Sequence, residues 1–547
     1  MANSVTTPTA APADSAAGLD VVVVGAGFAG LYMLHRLREI GLHAIAFEAA
    51  DDVGGTWYYN RYPGCRCDVE SLQYSYTFSK ELRQTWTWTE RYAPQAEILK
   101  YLRHVADRFD LRRDIRFKTR VVSAAYDESR NRWRVETDRG DRVDARFCVM
   151  ASGCLSVPRK PSIPGVDCFE GECYHTGQWP AAGVDFTGKR VGVIGTGSTA
   201  LQLIPQVAKQ ARHLTVFQRT PAYSLPGRNR LIEPGEAAEF KRSYDTLLET
   251  MRLSSTGTLH AMTDQSALSM ASEERERICE KLWNEGGAGL MYYFNDVVLD
   301  PAANEVIARF VRRKIRETVK DPLTAEALTP RQYPIGTKRI CIDIDYFETY
   351  NRDNVTLVPL SNNPIEEITP HGIRTANQNY DLDCLVFATG YDALTGALLQ
   401  IDIRGVGGQS LQSKWEAGPR TYLGLGSAGF PNLFMVTGPG SPSVLSNMVI
   451  SIEQHVDWIA DCLKTLHDRK LNRIEPRKEF EDEWVSHVSE LAGHTLFVRT
   501  ASWYMGANIP GKPRVFMPYI GGVGVYRRKC AQVAADGYQG FDLASVG

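Results

Sequence analysis

The chain lacks a hydrophobic run long enough to cross a membrane. The apolar stretch from Val21 to Leu34 is short and is interrupted by glycines, whereas a membrane-spanning helix needs about 20 apolar residues. The first eighteen residues have neither the basic start nor the apolar centre of a secretory signal. Their mixture of alanine, threonine, proline and serine predicts a disordered leader over residues 1–18. We therefore expect no membrane partner.

The sequence also lacks an excess of positive charge and a recognisable cysteine pairing. A formal net charge of −2 gives no reason to expect nucleic acid as a partner. The eleven cysteines are scattered from Cys65 to Cys530, and this odd number argues against a disulfide framework and for a reducing cytoplasm. The one close pair, Cys65 and Cys67, is a C-x-C, which is neither a redox nor a zinc pattern. We expect no metal site.

A dinucleotide-binding pattern opens the ordered part of the sequence. The β-branched run from Val21 to Val24 predicts a strand buried on both faces, and Gly25, Gly27 and Gly30 follow it before a helix-like stretch. Glycines allow a tight turn and a close approach to a pyrophosphate at the helix N-terminus. Glu48 lies 18 residues after Gly30, where an acid accepts hydrogen bonds from a ribose. This pattern predicts an adenine dinucleotide that has no 2′-phosphate.

The pattern occurs a second time, with a different charge at its end. A strand at residues 191–194 leads into Gly-Thr-Gly-Ser-Thr-Ala at 195–200, and Arg219 stands 19 residues after Ala200. A cation at this position suits the 2′-phosphate of NADP better than a ribose hydroxyl. A single G-x-G-x-x-G is a weak signal, but two copies, each in strand–turn–helix context, are a strong one.

These patterns predict an α/β fold with two Rossmann-like dinucleotide-binding domains and a helical insert. The length of 547 residues suggests two or three domains. We assign residues 19–150 and 391–547 to the first domain, and residues 151–229 and 331–390 to the second. Small residues after strand-like runs, at 151–153 and 388–390, mark where the chain crosses between them. We expect antiparallel strands within 115–147, a helical insert at 230–330 that contains a helix starting at Asp300-Pro301, and a long helix near 447–468.

Longer motifs then connect the chain to a known family. Residues 169–180, FEGECYHTGQWP, fit F-x-G-x-x-x-H-x-x-x-W-P. Residues 54–68 fit G-G-x-W-x-x-x-x-Y-P-G-x-x-x-D, and the strand end Ala388-Thr389-Gly390-Tyr391 fits a broader pattern of flavin monooxygenases. In these motifs the chain resembles the type I Baeyer–Villiger monooxygenases, and among them the phenylacetone and steroid monooxygenases.

The resemblance implies an enzyme with FAD as cofactor that uses NADPH and dioxygen to convert ketones to esters or lactones. In that family NADPH reduces FAD, and the reduced flavin captures dioxygen as a C4a-peroxide that attacks the ketone carbonyl. By the same resemblance Arg339 is the catalytic cation and Asp68 its acidic partner. A guanidinium suits this role because it stays charged when buried. The ketone and dioxygen are the expected small-molecule partners.

The resemblance also assigns residues to the two cofactors. Besides Gly25, Gly27, Gly30 and Glu48, the residues expected on FAD are Gly55, Thr56, Trp57, Asp68, Tyr74, Val121 and Met448. Those expected on NADP are Thr196, Gly197, Ser198, Thr199, Gln202, Arg219, Thr220, Lys338, Arg339 and Trp503. His175, in the long motif, is expected to shape the interdomain link, not to act as a base.

Three alternatives stay open at this point. A related flavin monooxygenase that oxidises nitrogen or sulfur has a similar architecture, but usually lacks Trp179-Pro180 and the Asp68–Arg339 pair. A disulfide reductase has tandem dinucleotide folds, but the chain has no redox cysteine pair after the first fold. A non-catalytic NADP(H) sensor has no need for Arg339. By the resemblance the segment 440–445 borders the ketone site. The particular ketone, the oligomeric state (a monomer is compatible) and whether segment 491–515 is an ordered lid stay open.

Overall fold

The structure of the protein is a computed structural model, which describes residues 19–260 and 262–546. The predicted leader, residues 1–18, lies outside the described residues. The architecture is mixed α/β, with two large sheets that each contain one of the glycine-rich turns, as the fold-class prediction required.

The first large sheet combines a parallel core with an antiparallel extension. The strand Leu19–Val24 pairs in parallel with Ala44–Phe47 and with Arg142–Met150, so that Val21 lies opposite both Ala44 and Phe147. Its valines 21–24 are buried, which explains the uninterrupted β-branched run. In sheet order the strands are Asp402–Arg404, Val121–Asp127, Arg132–Thr137, Arg142–Met150, Leu19–Val24, Ala44–Phe47 and Ile115–Arg116, and Leu433–Met435 also pairs with Arg142–Met150.

The second large sheet is entirely parallel. Arg190–Ile194 lies at its centre, between His213–Gln218 and Cys384–Phe387, and Val193 is opposite Val216 and Val386. In sheet order the strands are Val355–Pro359, His213–Gln218, Arg190–Ile194, Cys384–Phe387 and Glu172–His175. Because all of these strands point the same way, their carboxyl ends meet at one edge, where a parallel sheet binds its ligand.

Smaller sheets complete the strand inventory. They are formed by Ser224–Pro226 with Cys341–Asp343, by Ile365–Thr369, Gly372–Thr375 and Asn379–Asp381, and by Arg473–Pro476 with Phe541–Ala544. The sheet at 365–381 was not anticipated from the sequence.

Long helices cover the two large sheets. Phe28–Glu39 packs on Met448–Asp468, where the Tyr32 hydroxyl donates to Asp457 Oδ1 at 2.7 Å, and the long helix expected near 447–468 is thereby confirmed. Other helices of these layers are Gln95–Arg108, Ser198–Ala208, Lys478–Gly493 and Val523–Ala535. Short helices lie at Thr56–Tyr59, Lys80–Thr85, Tyr346–Thr349, Gly396–Leu399 and Leu411–Lys414.

The charged stretch after residue 230 is helical. Asp300 begins the helix Pro301–Thr318, because its carboxylate accepts from the backbone N–H of Ala302 (2.7 Å) and Ala303 (3.0 Å). The other helices here are Pro234–Arg242, Tyr244–Leu253, Ser272–Glu285, Gly289–Tyr293 and Pro322–Leu328. Within residues 19–260 and 262–546, no helix combines the length and hydropathy that crossing a bilayer requires.

Candidate active site

The first glycine-rich turn is built from backbone contacts that only glycine permits. Gly25 has a φ of +106°, and a Cβ on it would lie 2.6 Å from the carbonyl oxygen of Ala151. A Cβ on Gly30 would lie 1.8 Å from the carbonyl oxygen of Gly25. The helix Phe28–Glu39 begins at Gly27 without a side-chain cap, so its first N–H groups are available to a pyrophosphate.

Glu48 follows the second strand of this unit and touches the turn. Its carboxylate accepts from the backbone N–H of Ala26 and of Ala50, each at 2.8 Å, and the residue is buried. Burial raises the pKa of Glu48, although both hydrogen bonds oppose the rise. The position beside the turn suits an acceptor for ribose hydroxyls.

The G-G-x-W segment lies directly on the first turn. Gly54 (φ +134°) and Gly55 (φ +52°) both adopt conformations that favour glycine, and a Cβ on Gly55 would lie 3.2 Å from the Cα of Gly27. The backbone at Gly54 and Gly55 therefore lies close to the position that a flavin dinucleotide would occupy. The short helix that starts at Thr56 then buries Trp57, whose Nε1 donates to the hydroxyl of Tyr74 at 3.2 Å.

The other residues expected on FAD are on two separate elements. Val121 is buried at the start of its strand. Met448 is the first residue of its helix, after Asn447, whose side chain accepts from the N–H of Val449 at 3.2 Å. Both residues lie at the beginning of a regular element, where a cofactor can meet the backbone.

The second glycine-rich turn has the same construction. Gly195 has a φ of +116°, and a Cβ on it would lie 2.4 Å from the carbonyl oxygen of Ala388. Thr196 Oγ1 donates to the carbonyl of Thr220 at 2.8 Å, which ties the turn to the end of the neighbouring strand. The helix Ser198–Ala208 begins at Gly197 without a side-chain cap, and Thr199 lies in its first turn. This N-terminus can receive a phosphate group.

Cations gather at the same edge of the second sheet. Arg219 is exposed after the strand His213–Gln218, and Lys338 and Arg159 are half-buried. Lys338 Nζ lies 4.5 Å from the centroid of the Tyr333 ring. None of the carboxylates that the structure describes is within 4.0 Å of these three cations. Burial and then the charge of Arg219 lower the pKa of both Lys338 and Arg159. Sequence reasoning missed Arg159, because it belongs to no motif.

Gln202 joins the two dinucleotide units. Its Oε1 accepts from the Tyr62 hydroxyl at 2.8 Å, and its Nε2 donates to the carbonyl of Arg66 at 3.1 Å. A Cβ on Gly64 (φ +83°) would lie 2.3 Å from the backbone carbonyl of Gln202. The Y-P-G part of the second motif therefore packs on the helix of the second turn.

Arg339 and Asp68 form a bidentate ion pair between the two units. Arg339 donates from Nε to Asp68 Oδ2 at 2.8 Å and from Nη2 to Oδ1 at 2.7 Å, and its Nη1 donates to the carbonyl of Val444 at 2.6 Å. Burial alone would lower the pKa of Arg339, but the Asp68 carboxylate raises it well above its ordinary value. The two side chains keep exposures of 31% and 22%. Asp68 thus holds a permanently charged guanidinium in place, and part of the Arg339 side chain stays accessible.

The surroundings of Arg339 are apolar and aromatic. Trp503 packs on Tyr504 with ring centroids 4.2 Å apart, in a buried cluster that includes Leu394, Val444, Phe497, Phe516 and Met517. Val444 follows Ser443, whose φ is +43° and whose Oγ lies 3.1 Å from Cys154 Sγ. Cys154 was not predicted as a site residue, whereas Ser443 belongs to the segment 440–445 that the resemblance places beside the ketone site. Such walls exclude water and strengthen the electrostatic effect of Arg339.

His175 lies at the crossing between the units. Its Nδ1 accepts from the N–H of Gly177 at 3.0 Å, and its Nε2 is 3.2 Å from the carbonyl of Arg159 and 3.3 Å from Thr389 Oγ1. Burial lowers its pKa. These contacts hold the crossing segment in place, in line with the interpretation of His175 as a linker residue.

Sequence comparisons identify relatives over nearly the whole chain. The family described as "Flavin-binding monooxygenase-like" matches residues 18–250. A phenazine N-monooxygenase of Lysobacter antibioticus is 44% identical over 96% of this chain and 97% of its own length. The acetone monooxygenase (methyl acetate-forming) of a Gordonia species is 43% identical over 96% and 99%, and a Baeyer–Villiger monooxygenase of Pseudooceanicola batsensis is 43% identical over 95% and 96%.

Solved structures agree with these relatives. An oxidised steroid monooxygenase bound to NADP superposes with a TM-score of 0.93 at 52% identity, over 97% of this chain and 100% of the other. The enzyme OTEMO in complex with FAD and NADP gives 0.93 at 40% identity, over 96% and 99%. The chain therefore belongs to the Baeyer–Villiger monooxygenases, the FAD- and NADPH-dependent flavoproteins that use dioxygen to oxidise ketones.

Proposed function

We propose that Arg339 is the catalytic cation of this enzyme and that Asp68 is its positioning residue. The observation that carries the proposal is the bidentate pair, with the further bond from Arg339 to the Val444 carbonyl. Insertion of oxygen beside a carbonyl develops negative charge on oxygen, and a preorganised donor in a water-poor site stabilises such charge. Asp68 fixes both the direction and the charge of the guanidinium.

The described residues fit both cofactors. FAD, once reduced by NADPH, supplies the activation of dioxygen. The uncapped helix at Gly27 would hold its pyrophosphate and Glu48 its ribose, while Gly55, Thr56, Trp57, Tyr74, Val121 and Met448 would line the rest of its site. For NADP, the uncapped helix at Gly197 would hold the pyrophosphate, and Arg219, Thr220 and Lys338 the 2′-phosphate. Trp503 would cover the nicotinamide end.

We further propose the domain division predicted from the sequence, with residues 19–150 and 391–547 binding FAD and residues 151–229 and 331–390 binding NADP. The separate sheets, each with one glycine-rich turn, support it. The charged helices at 230–330 form the insert. We propose a cytoplasmic enzyme, which the eleven unpaired cysteines support.

The substrate is proposed to be a ketone, which the apolar walls near Arg339 and the acetone-oxidising relative support. The test uses purified, FAD-loaded protein and a panel of linear, cyclic, aromatic and steroidal ketones. NADPH consumption and ester or lactone formation are measured together. At least one ketone should give product in step with NADPH consumed. If every ketone gives only hydrogen peroxide, the proposal is wrong.

A second candidate is oxygenation of an aromatic nitrogen, which the phenazine N-monooxygenase relative favours. An aromatic nitrogen is itself a nucleophile, so its oxidation does not need Arg339 to stabilise an oxyanion. Phenazine therefore belongs in the same panel. Arg339→Ala should abolish ester formation much more strongly than N-oxide formation. Efficient N-oxidation with no ketone turnover would favour the second candidate.

A further inference from the structure

We propose that Arg159 is an additional residue that binds a phosphate group of NADP(H). The proposal rests on the proposed NADP site at Arg219 and Lys338. It adds to that site a side chain from the segment that follows the first crossing between the domains, at residues 151–153. Arg159 lies outside both glycine-rich turns and outside the motifs, so nothing in its sequence context marks it.

The backbone of Arg159 is anchored beside the second glycine-rich turn. Its N–H donates to the carbonyl of Gly390 at 2.9 Å, and its own carbonyl accepts from Thr389 Oγ1 at 2.5 Å. Ala388, one residue before Thr389, is the residue whose carbonyl would clash with a Cβ on Gly195. Arg159 is therefore attached to the strand end that forms one wall of the turn.

Arg159 and Arg219 flank the turn from opposite sides. The central strand Arg190–Ile194 leads into the turn, and its neighbours are His213–Gln218, which ends at Arg219, and Cys384–Phe387, which carries the strand end bound to Arg159. Burial, and then the positive charge of Arg219, lower the pKa of Arg159, so the Arg219 guanidinium is within electrostatic reach of Arg159.

Within the part of the chain that the structure describes, the Arg159 guanidinium also lacks a protein partner. Among residues 19–260 and 262–546 it donates no hydrogen bond and has no carboxylate within 4.0 Å, although the side chain is half-buried. The next residue, Lys160, behaves as an ordinary surface cation, 62% exposed and paired with Asp167 at 2.5 Å. A half-buried guanidinium that lies near a second cation and has no carboxylate partner is stabilised by an anion, and the phosphates of NADP(H) supply it.

The test measures binding, not turnover. The FAD-loaded protein is titrated calorimetrically with 2′,5′-ADP, which carries the 2′-phosphate, and with ADP, which carries only the diphosphate. Arg159→Gln should weaken at least one of them by roughly 10- to 100-fold, the size of a lost charge-assisted hydrogen bond. Loss for 2′,5′-ADP alone assigns Arg159 to the 2′-phosphate, and loss for both assigns it to the 5′-phosphate that the two ligands share. Loss for ADP alone assigns it to the second phosphate of the diphosphate. Arg159→Lys should restore part of the affinity.

Lys160→Gln is the matched control and should leave both ligands unchanged. Arg219→Gln tests the underlying site, because it should weaken 2′,5′-ADP more than ADP. If Arg219→Gln does so and Arg159→Gln changes neither ligand, the inference about Arg159 is overturned while the NADP site stands. If Arg219→Gln makes no distinction, the proposed 2′-phosphate site itself is wrong. Unchanged flavin absorbance and melting temperature verify that each variant is folded.

Discussion

The substitution Arg339→Lys separates the charge of the proposed catalytic cation from its geometry. Arg339 donates to both oxygens of Asp68 and to the carbonyl of Val444, at 2.6 to 2.8 Å. A lysine ammonium keeps a positive charge, but its single nitrogen cannot span both Asp68 oxygens and also reach Val444. The lysine would therefore keep the pairing with Asp68 and lose the direction of the charge.

The size of the effect follows from the bonds that are lost. A hydrogen bond to a charged group contributes about 1.5–3 kcal/mol, and removal of one preorganised donor from a site of developing negative charge slows catalysis by about 10²- to 10³-fold. We expect ester formation by Arg339→Lys to fall in that range. Reduction of the flavin by NADPH should change by less than about tenfold, because this step creates no oxyanion for Arg339 to stabilise.

Two measurements on the same protein distinguish these steps. Anaerobic rapid mixing with NADPH follows the bleaching of the flavin, and aerobic turnover with a ketone from the panel follows ester and hydrogen peroxide. Arg331→Lys is the control, since Arg331 is an exposed arginine of the same segment that pairs with Glu326, and it should resemble the parent in both measurements. Ester formation by Arg339→Lys at the parental rate would remove Arg339 from its role. Equal losses in both steps would mean that the substitution disturbs cofactor binding instead.

Three other predictions concern individual groups. Asp68→Asn should slow ester formation by more than tenfold, because a neutral amide cannot fix the direction of the Arg339 guanidinium. Flavin reduction, followed by rapid mixing, should change little. Burial and the charge of Arg219 lower the pKa of Lys338. The affinity for NADP, measured by titration, should therefore fall at alkaline pH as Lys338 loses its proton, and Lys338→Arg should reduce this loss because arginine stays charged. Burial raises the pKa of Glu453 from 4.5 to about 7. As pH rises, the unfolded chain therefore loses this proton before the folded chain does, and the free energy of unfolding decreases between these two pH values. Glu453→Gln should raise the unfolding free energy by at most about 3 kcal/mol at pH 8 and hardly at all at pH 4, as measured by denaturant titration.

The parts of the fold that the sequence predicts are those with short-range causes. Gly25 and Gly195 are needed where the chain turns with positive φ against a neighbouring strand end. The strands, the helix and the charged residue that complete each dinucleotide-binding pattern lie within about 20 to 30 residues of these glycines. Asp300 caps its helix through N–H groups two and three residues away. The long helix at 448–468 is evident from its apolar spacing. In each case the pattern that predicts the element is local in sequence, although Ala151 and Ala388, against which Gly25 and Gly195 pack, are distant.

Contacts between distant residues account for what the sequence did not show. Cys154 meets Ser443 across 289 positions, and this contact sits behind the Val444 carbonyl that receives Arg339. Gln202 reaches Tyr62 across 140 positions. Composition and spacing carry no information on such pairs, because tertiary packing alone brings them together. Even the Asp68–Arg339 pair was expected only through the family resemblance, not from any local pattern.

The spacing of the motif at residues 54–68 has a structural explanation in three successive contacts. Gly55 lies on the first turn, 3.2 Å from Gly27 for a Cβ placed there. Gly64, nine residues later, packs on the backbone of Gln202 in the helix of the second turn. Asp68, four residues further, pairs with Arg339. One short segment therefore sets the distance between the first glycine-rich turn, the helix of the second turn and Arg339. Because interior packing tolerates little displacement and catalysis falls steeply when reacting groups shift by about 1 Å, the proposed role of Arg339 requires the intervals between these three contacts to be fixed.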